Sequence, residues 1–332
     1  MKASISIIVP CYKAKNKVGK FIDEVFRVRD AISDSCKLFV YLIDDCCPDK
    51  SFKEVGKREG LFIFHLGKNQ GVGFATFFGF KKALQDKHDF FIKMDADGQH
   101  PADYLFDLIP YLLTISANKL VLVKGSRFCM PVSNIESPYF RRLGSYFLEP
   151  LARISLSYKG LTDIANGFIS LNKLTLLYLI SPKFSQKIEK RYLFESSLLK
   201  ACSNLNVDIH EFHMEAIYGE DWESAMNSID MIVPILKFWI FSIARRINQH
   251  YFLKLNLGTL FFIASFINFL IASIFFIYKI YPSIISQKFV SAGNANAFVG
   301  SILITIIFFI FFVFYDLSNR KKVRKIYFRN RI

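Results

Sequence analysis

Phe90-Phe-Ile-Lys-Met-Asp-Ala-Asp-Gly-Gln-His-Pro101 is the stretch on which the fold turns. An apolar run ends on two carboxylates, Asp95 and Asp97, with one small residue between them. A buried strand that delivers acids at its carboxyl end belongs to an open α/β sheet, where ligands bind beyond the strand ends. The flanking sequence repeats the pattern. Ile5–Val9, Leu38–Ile43, Leu61–His65, Phe90–Met94 and Leu120–Val123 read as buried strands, and Lys17–Ala31, Gly71–Gln85 and Ala102–Ile115 as helices. That alternation predicts βαβ units, right-handed crossovers and a mostly parallel sheet. Polar clusters follow three of the strands, at Pro10–Asn16, Asp44–Asp49 and Asp95–His100; from Val132 to Asp221 the pattern is less regular.

A different regime begins near residue 255. Hydrophobic residues make up 52% of the 332, Phe alone occurs 37 times, and the excess falls in two runs without a charged side chain. These are Leu255–Tyr278 and Phe289–Tyr315, the second strongest from Ala297 onward. Each can cross a hydrocarbon layer of about 30 Å as a helix, and soluble helices that long rarely stay apolar on every face. Arg245, Arg246 and Lys254 precede the first run, and Arg320, Lys321, Lys322, Arg324, Lys325, Arg329 and Arg331 follow the second. The connector holds only Lys279 and Lys288, so the positive-inside rule places both termini in the cytoplasm. Much of the net charge of +15 lies in these flanks, where it meets anionic lipid, so no nucleic-acid partner is read from it. Ser4–Val9 is too brief for a signal-peptide core. The cysteines at 11, 36, 46, 47, 129 and 202 form no Cys-x-x-Cys pair, and reduced thiols are expected. Asp230–Phe252 reads as an amphipathic helix, with Ile232, Ile235, Trp239, Ile243 and Ile247 on one stripe; a core helix is one reading, and its place just before an apolar run favours an interfacial one, with Trp239 and Phe241 expected beside lipid.

Three segments carry chemistry. An Asp-x-Asp turn can aim two carboxylates at one hard cation that also takes diphosphate oxygens, and such a cation neutralises charge as the diphosphate leaves. Acidic turns are common solvated loops; Gln99 and Pro101 make this one more specific. Asp44 and Asp45 end the second strand, where a carboxylate can accept from a nucleobase N–H or a ribose hydroxyl. Turn chemistry, with capping by Asp49, accounts for acids there equally well. Asn69-Gln-Gly-Val-Gly73, with Ala75 and Gly79, would suit a phosphate cradle or close helix packing by small residues.

Together these segments resemble the family 2 glycosyltransferases. The matching stretches are Ile7-Ile-Val-Pro-Cys-Tyr12, Ile43-Asp-Asp-Cys-Cys-Pro-Asp49, Asn69–Gly73, Met94–Pro101, Gly125-Ser-Arg-Phe128 and Asp163-Ile-Ala-Asn-Gly-Phe168. The resemblance covers roughly residues 3 to 225. It implies a GT-A fold, Rossmann-like with a mostly parallel sheet, a nucleotide-sugar donor, Mg2+ or Mn2+, and inversion at the anomeric carbon. Within the family the chain looks most like bacterial membrane-bound polyprenyl-phosphate sugar transferases of the dolichol-phosphate mannose synthase type, which serve cell-surface polysaccharide or lipid-linked sugar synthesis. By that resemblance Asp95, Asp97 and Gln99 hold the metal, with Asp95 also toward the donor. Pro10 and Tyr12, with Asp44 or Asp45, hold the nucleoside. Arg127, and Arg141 with Ser145, face the lipid phosphate, for which a guanidinium offers paired donors; Arg142 is the neighbour that could replace Arg141. Three positions depart from the family pattern: Tyr12-Lys13-Ala14, Gly167-Phe168-Ile169 and Tyr218-Gly219-Glu220.

The expected organisation is a catalytic domain at 1–225, a juxtamembrane helix at 226–254, and an anchor at 255–332 with spans near 255–278 and 295–315 and a basic tail. The expected place is the inner membrane, with lipids as partners and a homo-oligomer compatible with it. A lipid phosphate needs no general base, because its oxygen is already anionic, whereas a hydroxyl of a lipid-linked saccharide needs one. Glu195, in Tyr192-Leu-Phe-Glu-Ser, is the candidate base, although on a helix at Leu193–Ala201 it reads first as an exposed acid. A non-catalytic membrane scaffold that keeps the fold is the reading of another class, and the intact acid turn argues against it.

Overall fold

The computed structural model describes residues 2–129, 149–215 and 228–328. The chain forms two compact units, 1–239 with 322–332, and 240–321.

The first unit is built on an eight-stranded sheet. In chain order its strands are β1 (Ala3–Cys11), β2 (Cys36–Asp44), β3 (Leu61–His65), β4 (Phe90–Lys93), β5 (Val121–Ser126), β6 (Ile169–Asn172), β7 (Asp208–His213) and β8 (Arg324–Ile326). Their spatial order is β8-β7-β5-β6-β4-β1-β2-β3, and only β6 runs antiparallel to its neighbours. The five strands read from the sequence are present. Of these, all but the edge strand β3 are near-continuously buried, as a sheet covered on both faces requires.

One face carries α1 (Val18–Ala31) and α3 (Leu105–Leu113); the other carries α2 (Val72–Gln85), α4 (Lys173–Ile180) and α5 (Phe194–Asn204). On α1 the buried residues Val18, Phe21, Ile22, Val25, Phe26 and Val28 follow helical spacing onto β1 and β2. α2 buries mostly small residues, Gly73, Ala75, Thr76, Gly79 and Ala83, together with Phe80. A Cβ at Gly79 would stand 2.6 Å from Ile8 Cγ2, so glycine lets this helix lie against β1. Because β6 is antiparallel, its amino end shares an edge with the carboxyl ends of β4 and β5. That edge carries the candidate site.

α6 (Ser228–Ile247) begins in this unit. Trp239 is 2% exposed and lies in the second core layer, whereas Phe241 is 69% exposed. The expectation that both sit beside lipid is therefore wrong for Trp239. Residues two apart do not share a helix face, and the Ile235–Trp239 stripe is core here.

The second unit holds two long apolar helices. Leu257–Ile285 is helical over 29 residues and begins with α7 (Leu257–Phe275); α8 (Ala292–Ser318) has 27. At 1.5 Å per residue each extends about 40 Å, more than a hydrocarbon core needs. Their Phe, Ile and Leu side chains face outward almost throughout, as expected of lipid-facing helices and not of soluble core. They pair through Ser265 Oγ donating to Thr305 O at 3.0 Å and through the Phe261–Phe311 and Phe262–Phe312 rings. Asn256 caps α7 in a reciprocal box with Thr259. The charge that ends α8, Asp316, is compensated: its carboxylate accepts from Tyr251 Oη at 2.5 Å, from Arg320 Nε at 3.1 Å and from Arg246.

Candidate active site

At the end of β4 the side chain of Lys93 is only 1% exposed, an ammonium under the acid turn. It donates to Asp95 Oδ2 at 3.0 Å and to Glu195 Oε1, on α5, at 3.1 Å. Burial opposes its charge, but Asp95 and Glu195 outweigh burial and push its pKa up. Burial likewise opposes the charge of Asp95, yet Lys93 holds that carboxyl below its ordinary value. His100 is fixed as a neutral ring: burial pushes its pKa down to about 4, and its Nδ1 accepts the Asp95 backbone N–H at 2.9 Å. Asp97 lies exposed on the turn, where its Oδ1 accepts the Gln99 N–H at 3.0 Å. Desolvation by neighbouring atoms, followed by the charge of Asp95, raises its carboxyl pKa.

Gly167, at the entry to β6, closes this cluster. A Cβ there would stand 2.4 Å from Lys93 Nζ, 2.5 Å from Asp95 Oδ2 and 3.5 Å from Glu195 Oε1. Glu195 is thus not the exposed acid expected of it: its side chain is 14% exposed and ion-paired. The physical reason is Lys93, whose buried charge requires anionic partners.

At the carboxyl end of β1, Pro10 is half-buried, and Tyr12 just beyond it is 45% exposed. Asp44 accepts from the Cys47 N–H at 3.0 Å, and its Oδ2 lies 3.0 Å from His65 Nδ1. Both oxygens of Asp45 accept backbone N–H groups, from Gln70 at 2.7 Å and Gly71 at 2.8 Å. Asp45 therefore anchors the Asn69–Gly73 loop. The glycines there serve close packing: a Cβ at Gly71 (φ +96°) would stand 2.7 Å from Lys190 O, and one at Gly73 2.5 Å from Glu189 O. Of the two readings of this loop, the packing reading matches the contacts.

At the end of β5, Arg127 engages Asp163 through Nε at 2.8 Å and Nη2 at 3.0 Å, and its N–H also donates to Asp163 at 3.0 Å. Burial opposes the charge of Asp163, but Arg127 holds its carboxyl down to about 2. Glu211, on β7, is fully buried and accepts from Thr162 Oγ1 at 2.8 Å, from the Thr162 N–H at 3.1 Å and from Lys325 on β8. Lys124, fully buried between these acids, has no hydrogen-bond partner at Nζ among the described residues.

Asp95, Asp97 and Gln99 share one turn, with Lys93, Glu195 and Gly167 beside it. Pro10 and Asp44 lie at the carboxyl ends of β1 and β2, with Tyr12 and Asp45 just after them on the same edge, and Arg127 follows β5. Arg141, Arg142 and Ser145 lie outside the described residues. Lys93, Gly167, Asp163 and Glu211 received no role from the sequence. One signal was available: a charged residue at the end of an apolar strand, such as Lys93, demands partners elsewhere in the chain.

The turn fits a hard divalent cation in its donor chemistry. Two carboxylates and an amide oxygen are ligands that Mg2+ or Mn2+ accepts, and the mutual repulsion of Asp95 and Asp97 is what a cation would relieve. Among the described residues no group of three or more His, Cys, Asp or Glu forms a metal cage, so water or diphosphate oxygens would have to complete the coordination.

The model for Glycosyl transferase family 2 matches residues 6–147. A dolichol-phosphate mannosyltransferase of Pyrococcus furiosus is 26% identical over 208 residues, 57% of this chain and 56% of that protein. An undecaprenyl-phosphate mannosyltransferase of Micrococcus luteus is 29% identical over 165 residues, 48% of this chain and 63% of that protein. The chain thus spans less than two thirds of the length of either relative. Mannosyl-3-phosphoglycerate synthase from Rubrobacter xylanophilus superposes with a TM-score of 0.51 at 15% identity over 74% of each chain, a likeness of fold that bears out the expected α/β architecture.

Proposed function

We propose that this chain, a glycosyltransferase with a family 2 domain over residues 6–147, transfers a sugar from a nucleotide-sugar to a polyprenyl phosphate in the membrane, with inversion. The observation that carries the acceptor class is the Lys93–Glu195 pair at 3.1 Å. Glu195 Oε1 is already engaged as the ion-pair partner that the buried Lys93 ammonium requires, so that oxygen is not left free for a substrate proton. A hydroxyl acceptor would need a base, whereas a phosphate oxygen is already anionic and needs only positioning and charge neutralisation. The relatives named for dolichol phosphate and undecaprenyl phosphate support the same class.

In this reading Tyr12 and Asp44 border the nucleoside, and Asp45 keeps the Asn69–Gly73 loop in place beside it. Asp95, Asp97 and Gln99 would hold Mg2+ or Mn2+, which supplies charge neutralisation to the departing diphosphate. Lys93 keeps Asp95 ionised and oriented, and neutral His100 fixes the turn through the Asp95 N–H. Arg127, oriented by Asp163, faces the acceptor phosphate.

Glu195→Gln tests the acceptor class. Lys93 retains Asp95, and the amide oxygen can still accept its hydrogen bond, so transfer should fall by less than about tenfold. A general base would cost about 10²–10⁴-fold, and a loss of that size would shift the acceptor to a saccharide hydroxyl. A radiolabelled donor panel with membranes identifies the sugar; a lipid-extractable, mild-acid-labile product is expected.

We also place both termini in the cytoplasm. The cations flank the apolar pair on its two outer ends, and the chain leaves the first unit after Trp239 and rejoins it at Lys322. A single cysteine at Ser291, in the connector, should be labelled only from the non-cytoplasmic side. Labelling only from the cytoplasm would overturn the two-span hairpin.

A further inference from the structure

The sheet carries a row of charged residues on one face. Its register aligns Lys325 with Glu211, Glu211 with Lys124, Lys124 with Ile169, and Ile169 with Lys93. Lys325 is the outer member and belongs to the segment that returns after the helical unit. That segment is secured by apolar contacts: Val323 and Ile326 are buried in opposite core layers, and the Phe328 ring packs at a tilt with its centroid 5.5 Å from that of Phe212. Lys325 donates to Glu211 and, at 3.1 Å, to Thr162 Oγ1. Glu211 in turn binds the N–H groups of Thr162 and, at 3.4 Å, Asp163. Asp163 holds Arg127 by its side chain and its N–H. Without Lys325, Glu211 would lose the one cation that hydrogen-bonds it among the described residues; Lys124, buried between Glu211 and Asp163, makes no hydrogen bond there that could take its place. The Thr162–Asp163 turn is what would yield.

We propose that Lys325 is a positioning residue for Arg127, acting through Glu211, Thr162 and Asp163, so that the strand following the second apolar helix is a working part of the acceptor side. The proposal rests on the reading that Arg127 faces the acceptor phosphate. The experiment uses the full-length protein, undecaprenyl phosphate in vesicles and the donor selected by the panel. Lys325→Met should raise acceptor KM about tenfold, the scale of coupling within one hydrogen-bond network, while donor KM stays near wild type. Lys325→Arg should restore acceptor KM, and Lys325→Met with Glu211→Gln should recover much of it by removing the carboxylate that has lost its hydrogen-bonded cation. Lys322→Met, an exposed charge lost nearby, should change nothing. If Lys325→Met lowers only the thermal midpoint, or if Glu211→Gln rescues nothing, the strand is merely structural and the proposal fails. Arg127→Ala separates the two ideas. If it leaves acceptor KM unchanged, the reading of Arg127 falls; if it raises acceptor KM while Lys325→Met does not, only the role of Lys325 falls.

Discussion

Asp97→Asn is expected to abolish sugar transfer while leaving the fold intact. The carboxylate sits exposed on its turn and makes one local hydrogen bond, to the Gln99 N–H. Surface changes of that kind shift stability by no more than about 0.5 kcal/mol. The expected sign is neutral or slightly stabilising, because Asp95 repels Asp97 and raises its carboxyl pKa. In the proposed metal site, function would depend on that same crowding. Two acids beside one another would attract a dication, and an amide would remove one of the two charges proposed to hold it against diphosphate. The loss should reach at least about 10²–10³-fold, the scale for removing one group aimed at developing charge. Transfer at saturating donor, with the thermal midpoint as control, decides it. Wild-type-like transfer would remove these residues from the metal assignment.

Gly167→Ala should be nearly as damaging, by a different route. Its Cβ would stand 2.4 Å from Lys93 Nζ and 2.5 Å from Asp95 Oδ2. Lys93 is 1% exposed and bound to two carboxylates, so it cannot swing aside as a surface lysine would. Something in the ion cluster must shift. Overpacking of this kind costs about 1–3 kcal/mol in stability. A displacement near 1 Å at the reacting centre costs about 10²-fold in rate, so transfer should fall further than stability does. Gly56→Ala, where a Cβ meets nothing within 4 Å, is the matched control and should be silent. Normal turnover by Gly167→Ala would mean that the Lys93–Asp95–Glu195 geometry is not what the reaction uses.

Much of this architecture is local and therefore legible in the chain. The strands at 3–11, 36–44, 61–65, 90–93 and 121–126 are apolar runs, and the helices between them have helical periodicity. The acid turn was visible because Asp95, Ala96 and Asp97 are consecutive. The two apolar helices were visible because a span is defined by length and composition. Each of these properties can be read in a short window.

What the window could not contain was partnership. Lys93 and Glu195 are 102 positions apart, and Arg127 and Asp163 are 36 apart. Which charge meets which depends on strand order, and the order β8-β7-β5-β6-β4 rests on two insertions without a strong local signature. β6 has four residues and runs antiparallel, and β8 is three residues taken from a basic tail. The same limit explains Glu195 and Trp239. Helical spacing says which residues share a face, but whether that face meets solvent, lipid or core depends on what the rest of the chain puts opposite it. The sequence by itself determined the sheet, the acid turn and the two apolar helices, because these follow from periodicity and composition. Only the tertiary structure decided that Lys93 claims Glu195, that Asp163 claims Arg127, and that Lys325 returns to Glu211, because a buried charge takes its partner from whichever strand folds beside it.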